Sequence, residues 1–346
     1  MRRGRMPGVL PSTIETTDYH TGGEPFRIVA DTPVPMPGST VAERRARGIQ
    51  DADVQGLRAV LCLEPRGHAD MYGGFVVPPD DDGAHLGVLF WHKDGFSTAC
   101  GHGTIALGVW AVETGRVEAP ATGSVDVVID VPSGRVTARV HCEDARVVGV
   151  DFVNVPSWVI ATDVPVRTSR GEVSVTVAHG GATYATLPTD QLGMAVTPEH
   201  LGDLIALGRE IKWALDDTEH GVHPTDPRLN GVYGTIWFEE LGDTTGEVHQ
   251  RNVTVFADGE VDRSPCGSGT CARLAVLTGE GRLPAGTLLR HDSIVGSTFV
   301  GTVLGALEVQ GRAAVLPQVT GMAYRTGQHV FSIDPHDPLV PGFVLR

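Results

Sequence analysis

A cysteine motif that repeats 166 residues along the chain limits its possible folds more than any other feature. The first copy reads Cys100-Gly-His-Gly-Thr and the second reads Cys266-Gly-Ser-Gly-Thr, and they align without a gap over the residues that follow. Phe90 and Phe256 each lie ten residues before the cysteine of their copy. An internal repeat of this kind predicts two similar lobes, each with a strand, a turn, a cysteine and then a helix.

The length and the apolar pattern agree with two lobes. A chain of 346 residues suits two compact domains, and 44 glycines and 23 prolines favour many strands with tight turns. Apolar runs predict strands at 26–30, 74–77, 86–92, 125–129, 135–141, 173–178, 253–257 and 298–303. Helical spacing predicts helices at 101–114, 198–217 and 267–279. The expected class is therefore mixed α/β (α+β).

Charge and composition exclude several kinds of partner. A formal net charge of −15 repels nucleic acid and anionic membrane surfaces, and no apolar run is long enough to span a bilayer. Residues 1–11 carry three arginines and little apolar sequence, so we predict a loose tail rather than a signal peptide. Five cysteines, an odd number, favour reduced thiols and a cytoplasmic protein. A homodimer is one assembly that the sequence leaves open.

The scarcity of lysine bears on cofactors. Lys93 and Lys212 are the only lysines in the chain, and pyridoxal phosphate chemistry needs a Schiff-base lysine. Lys93 lies in a polar turn and Lys212 in an amphipathic stretch, so both are expected at the solvated surface. We therefore predict a cofactor-independent enzyme with no metal and a small-molecule substrate.

The repeated motif has a chemical interpretation. A cysteine at a helix start gains thiolate character from the unsatisfied N–H groups and the helix dipole. The N–H groups of Gly101 and His102, and of Gly267 and Ser268, could hold a substrate carboxylate between the two sulfurs of Cys100 and Cys266. One thiolate would then remove the α-proton while the opposite thiol delivers a proton to the other face.

The other three cysteines are expected to have no chemical role. Cys62 and Cys142 lie in strand-like apolar runs, and Cys271 lies within the second predicted helix. A spacing of five residues does not place Cys266 and Cys271 on one helix face, which argues against a disulfide or a metal site.

Long motifs in the chain resemble those of the proline racemase family. That family includes proline racemases, 4-hydroxyproline 2-epimerases and trans-3-hydroxy-L-proline dehydratases. The resemblance extends from 20–25 near the start to 342–343 at the end. The segments that carry it most clearly are Leu63-Glu-Pro-Arg-Gly-His-Ala-Asp-Met-Tyr-Gly73, Ala99-Cys-Gly-His-Gly-Thr104 and Asp262-Arg-Ser-Pro-Cys-Gly-Ser-Gly-Thr270.

The resemblance implies a fold of the diaminopimelate-epimerase type, with two lobes that wrap strands around a central helix. It implies a discontinuous first lobe of residues 12–145 plus 325–346 and a second lobe of residues 146–324. It also implies that Cys100 and Cys266 are the catalytic pair, and that Asp262 binds the ring nitrogen of the substrate. Its carboxylate contacts match Gly101, His102, Gly267 and Ser268. Because Ser268 is equivalent to His102, we expect the backbone N–H of His102 to matter rather than its ring.

Three aromatic residues fall where the resemblance places the wall around the substrate ring: Tyr72, Phe90 and Phe256. Proline racemases typically carry phenylalanine where this chain has Tyr72, whose hydroxyl is able to reach a ring hydroxyl. The resemblance therefore favours 4-hydroxyproline 2-epimerase over proline racemase.

Other functions stay open. A trans-3-hydroxy-L-proline dehydratase would use Cys100 as its base, but these enzymes typically carry threonine where this chain has Cys266. A non-catalytic protein that binds proline-type ligands would keep both lobes. A cysteine hydrolase that uses Cys100 and His102 is disfavoured, because the histidine is expected to point away from the thiol and no third group is evident.

Overall fold

The protein is described by a computed structural model, which covers residues 10–345. The helices are α1 (Val41–Gln50), α2 (Ala52–Cys62), α3 (Gly101–Glu113), α4 (Leu201–Asp216) and α5 (Gly267–Gly279). The first nine strands are β1 (Thr13–Thr21), β2 (Glu24–Val29), β3 (Tyr72–Val77), β4 (Leu86–His92), β5 (Gly95–Phe96), β6 (Gly123–Val131), β7 (Gly134–Glu143), β8 (Arg146–Val153) and β9 (Ser157–Thr168). The others are β10 (Gly171–His179), β11 (Thr183–Pro188), β12 (Val232–Glu240), β13 (Glu247–Phe256), β14 (Glu260–Asp262), β15 (Leu288–Ser293), β16 (Thr298–Val309), β17 (Arg312–Gly321) and β18 (Ala323–Ser332).

Strand pairing repeats in the two halves of the chain. In the first half, β1–β2 and β3–β4 are antiparallel, β2–β3 and β4–β6 are parallel, and β6, β7 and β8 follow antiparallel to one another. The second half repeats this order with β10–β11, β11–β12, β12–β13, β13–β15 and then β15, β16 and β17. The repeat seen in the sequence is therefore a repeat of topology as well.

One strand of the first half comes from the far end of the chain. Strand β18 pairs antiparallel with β1, as β9 pairs with β10 in the second half. Strand β8 pairs with both β7 and β17, so the two halves share a seam there. On this pattern we propose a discontinuous first lobe that is completed by β18.

Each half surrounds one helix. Every residue from Gly101 to Ala111 in α3 is buried, as is every residue from Gly267 to Leu277 in α5. Both helices are therefore buried on every side, and strands enclose each of them. The motif that carries each cysteine therefore begins the central helix of its half.

The fold class is confirmed, and all eight predicted strands and all three predicted helices overlap observed elements. The prediction missed α1 and α2, whose starts are capped by the side chains of Thr40 and Asp51. The strand-like environment predicted for Cys62 is wrong, because this residue ends α2, although it is buried as expected.

Two further expectations concern the surface and the termini. Among residues 10–345, no helix combines the length and the apolar character needed to cross a membrane. The tail predicted for residues 1–11 lies, up to residue 9, outside the described residues.

Candidate active site

The starts of the two central helices meet at their first glycines. A Cβ atom on Gly101 would lie 2.6 Å from Cα of Gly267, and one on Gly267 would lie 2.7 Å from Cα of Gly101. Contacts of this kind are open only to glycine, because a side chain at either position would overlap the facing backbone. The first glycine of each motif therefore allows the two helix starts to approach backbone to backbone.

The second glycine of each motif leaves room for the sulfur atom. A Cβ atom on Gly103 would lie 2.8 Å from Sγ of Cys100, and one on Gly269 would lie 2.9 Å from Sγ of Cys266. In each Cys-Gly-x-Gly motif, the first glycine thus makes room for the facing helix start. The second glycine makes room for the sulfur of the cysteine in the same motif.

A narrow cavity with a volume of only about 10 Å³ lies where the helix starts meet. Nine of the ten residues that the sequence proposed for the site line this cavity, together with three others that it did not propose. The lining residues are Tyr72, Ala99, Cys100, Gly101, His102, Tyr184, Tyr233, Phe256, Asp262, Cys266, Gly267 and Ser268. Both thiols and the carboxylate of Asp262 therefore share one enclosed space.

Phe90 is the proposed site residue that does not line the cavity. Its side chain is fully buried and packs edge-on against Phe26, with ring centroids 6.0 Å apart. Phe26 in turn packs against the ring of His102. Phe90 therefore lies behind the cavity wall, whereas its equivalent in the repeat, Phe256, reaches the cavity.

Cys100 caps helix α3 with its side chain. Its Sγ accepts the backbone N–H of Gly103 at 3.2 Å, and the residue is 4% exposed. Burial raises the pKa of the Cys100 thiol well above its ordinary value, the hydrogen bond from Gly103 opposes that rise, and the Asp262 carboxylate adds to it. A thiolate at Cys100 in this closed cavity therefore needs a positively charged neighbour.

Cys266 begins helix α5 in a different way. Its φ of +62° lies in the left-handed region, and its side chain does not cap the helix. The hydroxyl of Tyr184 lies 3.9 Å from Sγ, and burial followed by the Asp262 charge raises the pKa of this thiol. The two cysteines are thus equivalent in sequence but differ in conformation and in hydrogen bonding.

The ring of His102 contacts the Cys100 thiol, contrary to expectation. Its Nε2 lies 3.4 Å and its Nδ1 lies 3.6 Å from Sγ of Cys100, and Nδ1 also lies 3.6 Å from Oδ2 of Asp262. The prediction that the histidine points away from the thiol is therefore wrong, and Asp262 provides a third group. His102 is the second residue of α3, and its side chain folds back over Cys100, the N-cap of that helix. The spacing of the two residues in the sequence does not reveal this.

Asp262 is held in place from within its own segment. Its Oδ1 accepts the backbone N–H of Ser264 at 2.8 Å and the Ser264 hydroxyl at 2.7 Å. The residue is 3% exposed, so its remaining oxygen faces His102 and the cavity with little access to water. A buried carboxylate in this position can pair with a cation in the cavity.

Two tyrosines that line the cavity, Tyr184 and Tyr233, were not among the predicted site residues. Tyr184 donates to or accepts from Oγ of Ser268 at 2.7 Å, and Tyr233 shares a hydrogen bond of 3.1 Å with the hydroxyl of Tyr72. Burial raises the pKa of all three phenols, so they stay protonated. A Tyr-Gly pair begins β3 and follows the first residue of β12, and this is the sequence signal that could have identified Tyr233. No such signal marks Tyr184.

Polar contacts join the two halves around the cavity. Besides the Tyr72–Tyr233 pair, Arg263 forms an ion pair of 2.7 Å with Asp70 and its backbone N–H donates to Glu24 at 2.7 Å. Burial and the neighbouring Asp262 charge raise the pKa of Glu24 well above its ordinary value. These contacts hold the halves closed over the thiols.

The two lysines are more buried than the sequence indicated. The ammonium group of Lys93 lies 2.6 Å from Asp94 and 3.8 Å from Glu260, and that of Lys212 lies 3.7 Å from Asp216. Their side chains are only 7% and 8% exposed, so the expectation of solvated lysines is wrong. Both face an interior rich in carboxylates, and neither lines the cavity that contains the thiols.

Three side chains of the kinds that can bind a metal ion lie close together near Lys93. Ligand atoms of His92, Asp94 and Glu260 fall within 4.8 Å of one another, and His92 Nδ1 lies 2.9 Å from Glu260. The ammonium group of Lys93 supplies the positive charge next to the carboxylates of this cluster. The cluster is therefore a set of ion pairs between the halves.

Known proteins resemble this chain over most of its length. A sequence profile described as proline racemase matches residues 16–344. The chain is 41% identical to a trans-3-hydroxy-L-proline dehydratase of Bacillus cereus, over 95% of this chain and 97% of that protein. It is 42% identical to a 3-hydroxyproline 2-epimerase of Burkholderia multivorans, over 97% and 99% of the two chains.

Solved structures resemble the whole chain. One is a hydroxyproline epimerase from Agrobacterium vitis with bound trans-4-OH-L-proline, with a TM-score of 0.89, 31% identity and 96% of each chain covered. Another is a probable proline racemase from Agrobacterium radiobacter with bound carbonate, with a TM-score of 0.90, 30% identity and the same coverage. A PhzF-family protein from Bacillus anthracis, at 11% identity and a TM-score of 0.57, shares the fold alone.

Proposed function

This chain belongs to the proline racemase family, and from that premise we propose that it is a two-thiol hydroxyproline 2-epimerase. Enzymes of the family are named both as epimerases and as dehydratases. The observation that carries the proposal is that Cys100 and Cys266, at equivalent helix starts, both line the small cavity between the halves.

The proposed mechanism places the substrate carboxylate against the N–H groups of the two helix starts. The first N–H groups of a helix have no partner within it and attract anions, and here two such helix starts face one another. The α-carbon would lie between the sulfurs, so that one thiolate removes its proton while the opposite thiol protonates the other face. The C–H bond breaks, a new C–H bond forms on the opposite face, and the two thiols exchange protonation states.

Asp262 is proposed to bind the ring ammonium group of the substrate. A positive nitrogen next to the α-carbon makes the α-proton more acidic, and a buried carboxylate keeps that nitrogen charged. The Ser264 hydrogen bonds fix the orientation of the carboxylate before substrate binds.

Asp262→Asn is expected to raise KM by about 100-fold, since a charged hydrogen bond to substrate is lost. Asp130→Asn, which alters another buried aspartate outside the cavity, is the matched control and should leave KM unchanged. An unchanged KM in Asp262→Asn would remove this residue from substrate binding.

The position of the ring hydroxyl is proposed from the relatives and the cavity wall together. Tyr72 alone favoured 4-hydroxyproline, and one similar structure contains trans-4-OH-L-proline. The relatives that are 41% and 42% identical are named for 3-hydroxyproline. In this cavity the Tyr72 hydroxyl is bonded to Tyr233, and Tyr184 offers a further hydroxyl. We therefore propose trans-3-hydroxy-L-proline as the first substrate and trans-4-hydroxy-L-proline as the second.

Dehydration of trans-3-hydroxy-L-proline is the second candidate function, because relatives over 40% identical carry that name. A dehydratase needs one base for the α-proton and then expels the 3-hydroxyl, so it has no use for a second thiol. The presence of Cys266, where such dehydratases typically carry threonine, favours epimerisation.

The test is incubation of purified protein in D₂O with trans-3-hydroxy-L-proline, trans-4-hydroxy-L-proline and L-proline in separate reactions. We expect the C2 epimer of a hydroxyproline to appear with deuterium at the α-carbon, while recovered substrate keeps protium at early times. A pyrroline carboxylate from the 3-hydroxy compound would instead establish the dehydratase. Binding without any α-proton exchange would establish a non-catalytic binding protein.

A further inference from the structure

The two cavity thiols face different kinds of side chain. Around Cys100, both ring nitrogens of His102 lie within 3.6 Å of the sulfur. The residue at the equivalent position in the second motif is Ser268, and its hydroxyl bonds Tyr184, which in turn lies 3.9 Å from the sulfur of Cys266. An imidazole can accept a proton near neutral pH, whereas a phenol or an alcohol cannot become a cation there.

Because both thiols are buried, the side chains that contact them decide which thiol loses its proton more easily. The cysteines are 4% and 5% exposed, and the pKa of each thiol is raised by loss of water. An isolated thiolate in such a cavity is disfavoured, and the Asp262 charge disfavours it further. A thiolate forms at lower cost when its proton moves to a base in direct contact, because the pair stays neutral overall.

His102 is the ionisable base in contact with Cys100, whereas the negative charges near this thiol oppose a thiolate. The titratable groups that face this thiol are His102 on the same helix, Asp262 on β14, Glu24 on β2, Tyr72 on β3, Tyr233 on β12 and Cys266 before α5. Oδ2 of Asp262 lies 3.6 Å from Nδ1 of His102, so a carboxylate lies beside the ring that contacts the thiol. Among the described residues, the hydrogen-bond contacts of the Cys266 sulfur include no histidine or lysine.

We propose that in the ligand-free protein Cys100 carries the thiolate, paired with the protonated ring of His102, while Cys266 remains a thiol beside Tyr184. His102 is then a positioning residue that sets the resting protonation state. Tyr184 is a positioning residue that holds Ser268 and the neutral thiol. If the proposed epimerisation holds, the resting protein is ready for the stereoisomer whose α-proton faces Cys100. One turnover reverses the protonation states of the two thiols, and the protein must then return to the resting state.

The first test measures thiolate absorbance in the ultraviolet for Cys100→Ser and Cys266→Ser variants across a pH titration, without substrate. The Cys266→Ser variant, which keeps Cys100, is expected to show a thiolate signal at neutral pH. The Cys100→Ser variant should show none until strongly alkaline pH. Equal signals, or a signal only in Cys100→Ser, would overturn the assignment.

The second test uses the unmodified protein and needs no variant to fold. Brief treatment with iodoacetamide at neutral pH, followed by peptide mass spectrometry, should show Cys100 alkylated at least about 10-fold faster than Cys266. Because the two residues are almost equally buried, access alone does not produce such a difference. Comparable rates at the two cysteines would contradict the assignment.

Variants of His102 and Tyr184 show whether charge or packing sets the alkylation rate of Cys100. His102→Gln keeps a polar side chain of similar length but loses the ionisable ring, so it should lower the Cys100 alkylation rate to that of Cys266. Tyr184→Phe should leave the Cys100 rate unchanged. A His102→Gln protein with native circular dichroism and an unchanged Cys100 rate would overturn the role of His102. Neither test uses substrate, so a protein that epimerises nothing but still shows the Cys100 thiolate would overturn only the proposed function.

Discussion

Cys266→Ser is expected to reduce epimerisation by about 10³-fold, because a serine hydroxyl is a far weaker general acid and base than a thiol. Inversion at the α-carbon needs proton transfer on both faces, and Cys266 is the proposed group on one of them. Cys100 remains in this variant with its Gly103 hydrogen bond and its contact with His102. We therefore expect residual exchange of the α-proton in D₂O without inversion.

The measurements are epimer formation by chiral chromatography and α-deuterium incorporation by mass spectrometry. Cys142→Ala is the matched control, since Cys142 is a buried cysteine in β7 and lies outside the cavity. It should retain near-native activity. A Cys266→Ser protein with native circular dichroism and unimpaired epimerisation would eliminate the two-thiol mechanism.

Gly101→Ala is the second change with a large expected effect. The added Cβ would lie 2.6 Å from Cα of Gly267, which is backbone and unable to move aside as a flexible side chain would. The two helix starts must then separate, and overpacking of this kind destabilises a protein by roughly 1–3 kcal/mol. Since a displacement of about 1 Å between reacting groups costs on the order of 10²-fold in rate, we expect kcat/KM to fall by at least that factor.

Gly202→Ala provides a close control. Gly202 also lies in the first turn of a helix, α4, but a Cβ atom there has no other atom within 4 Å. Alanine is the better helix former by roughly 0.5–1 kcal/mol, so this variant should be as stable as the parent or more stable. Urea unfolding and steady-state kinetics on both variants give the comparison. Equal kcat/KM for Gly101→Ala and the parent would show that close approach of the helix starts is not needed.

Much of the architecture could be predicted because it is encoded in local patterns. The central helices follow from apolar residues at helical spacing in α3 and α5, and their starts follow from the glycines after Cys100 and Cys266. Two similar halves follow from the ungapped repeat, which the strand pairing confirms. Helix α1 was missed because three arginines and a glutamate leave it a weak apolar pattern, so its existence depends on packing against the first half.

The sequence by itself determined that two thiols begin two equivalent helices, since each motif lies within a few consecutive residues. Only the tertiary structure decided which side chains complete the site. His102 meets Asp262 across 160 residues of chain, Tyr184 reaches Cys266, and Phe90 lies behind the cavity that its equivalent Phe256 lines. These outcomes depend on how the two halves approach each other and on the direction in which each side chain points. A repeat identifies equivalent positions along the chain. The effect of a difference between its copies, such as His102 against Ser268, depends on the residues that each side chain contacts.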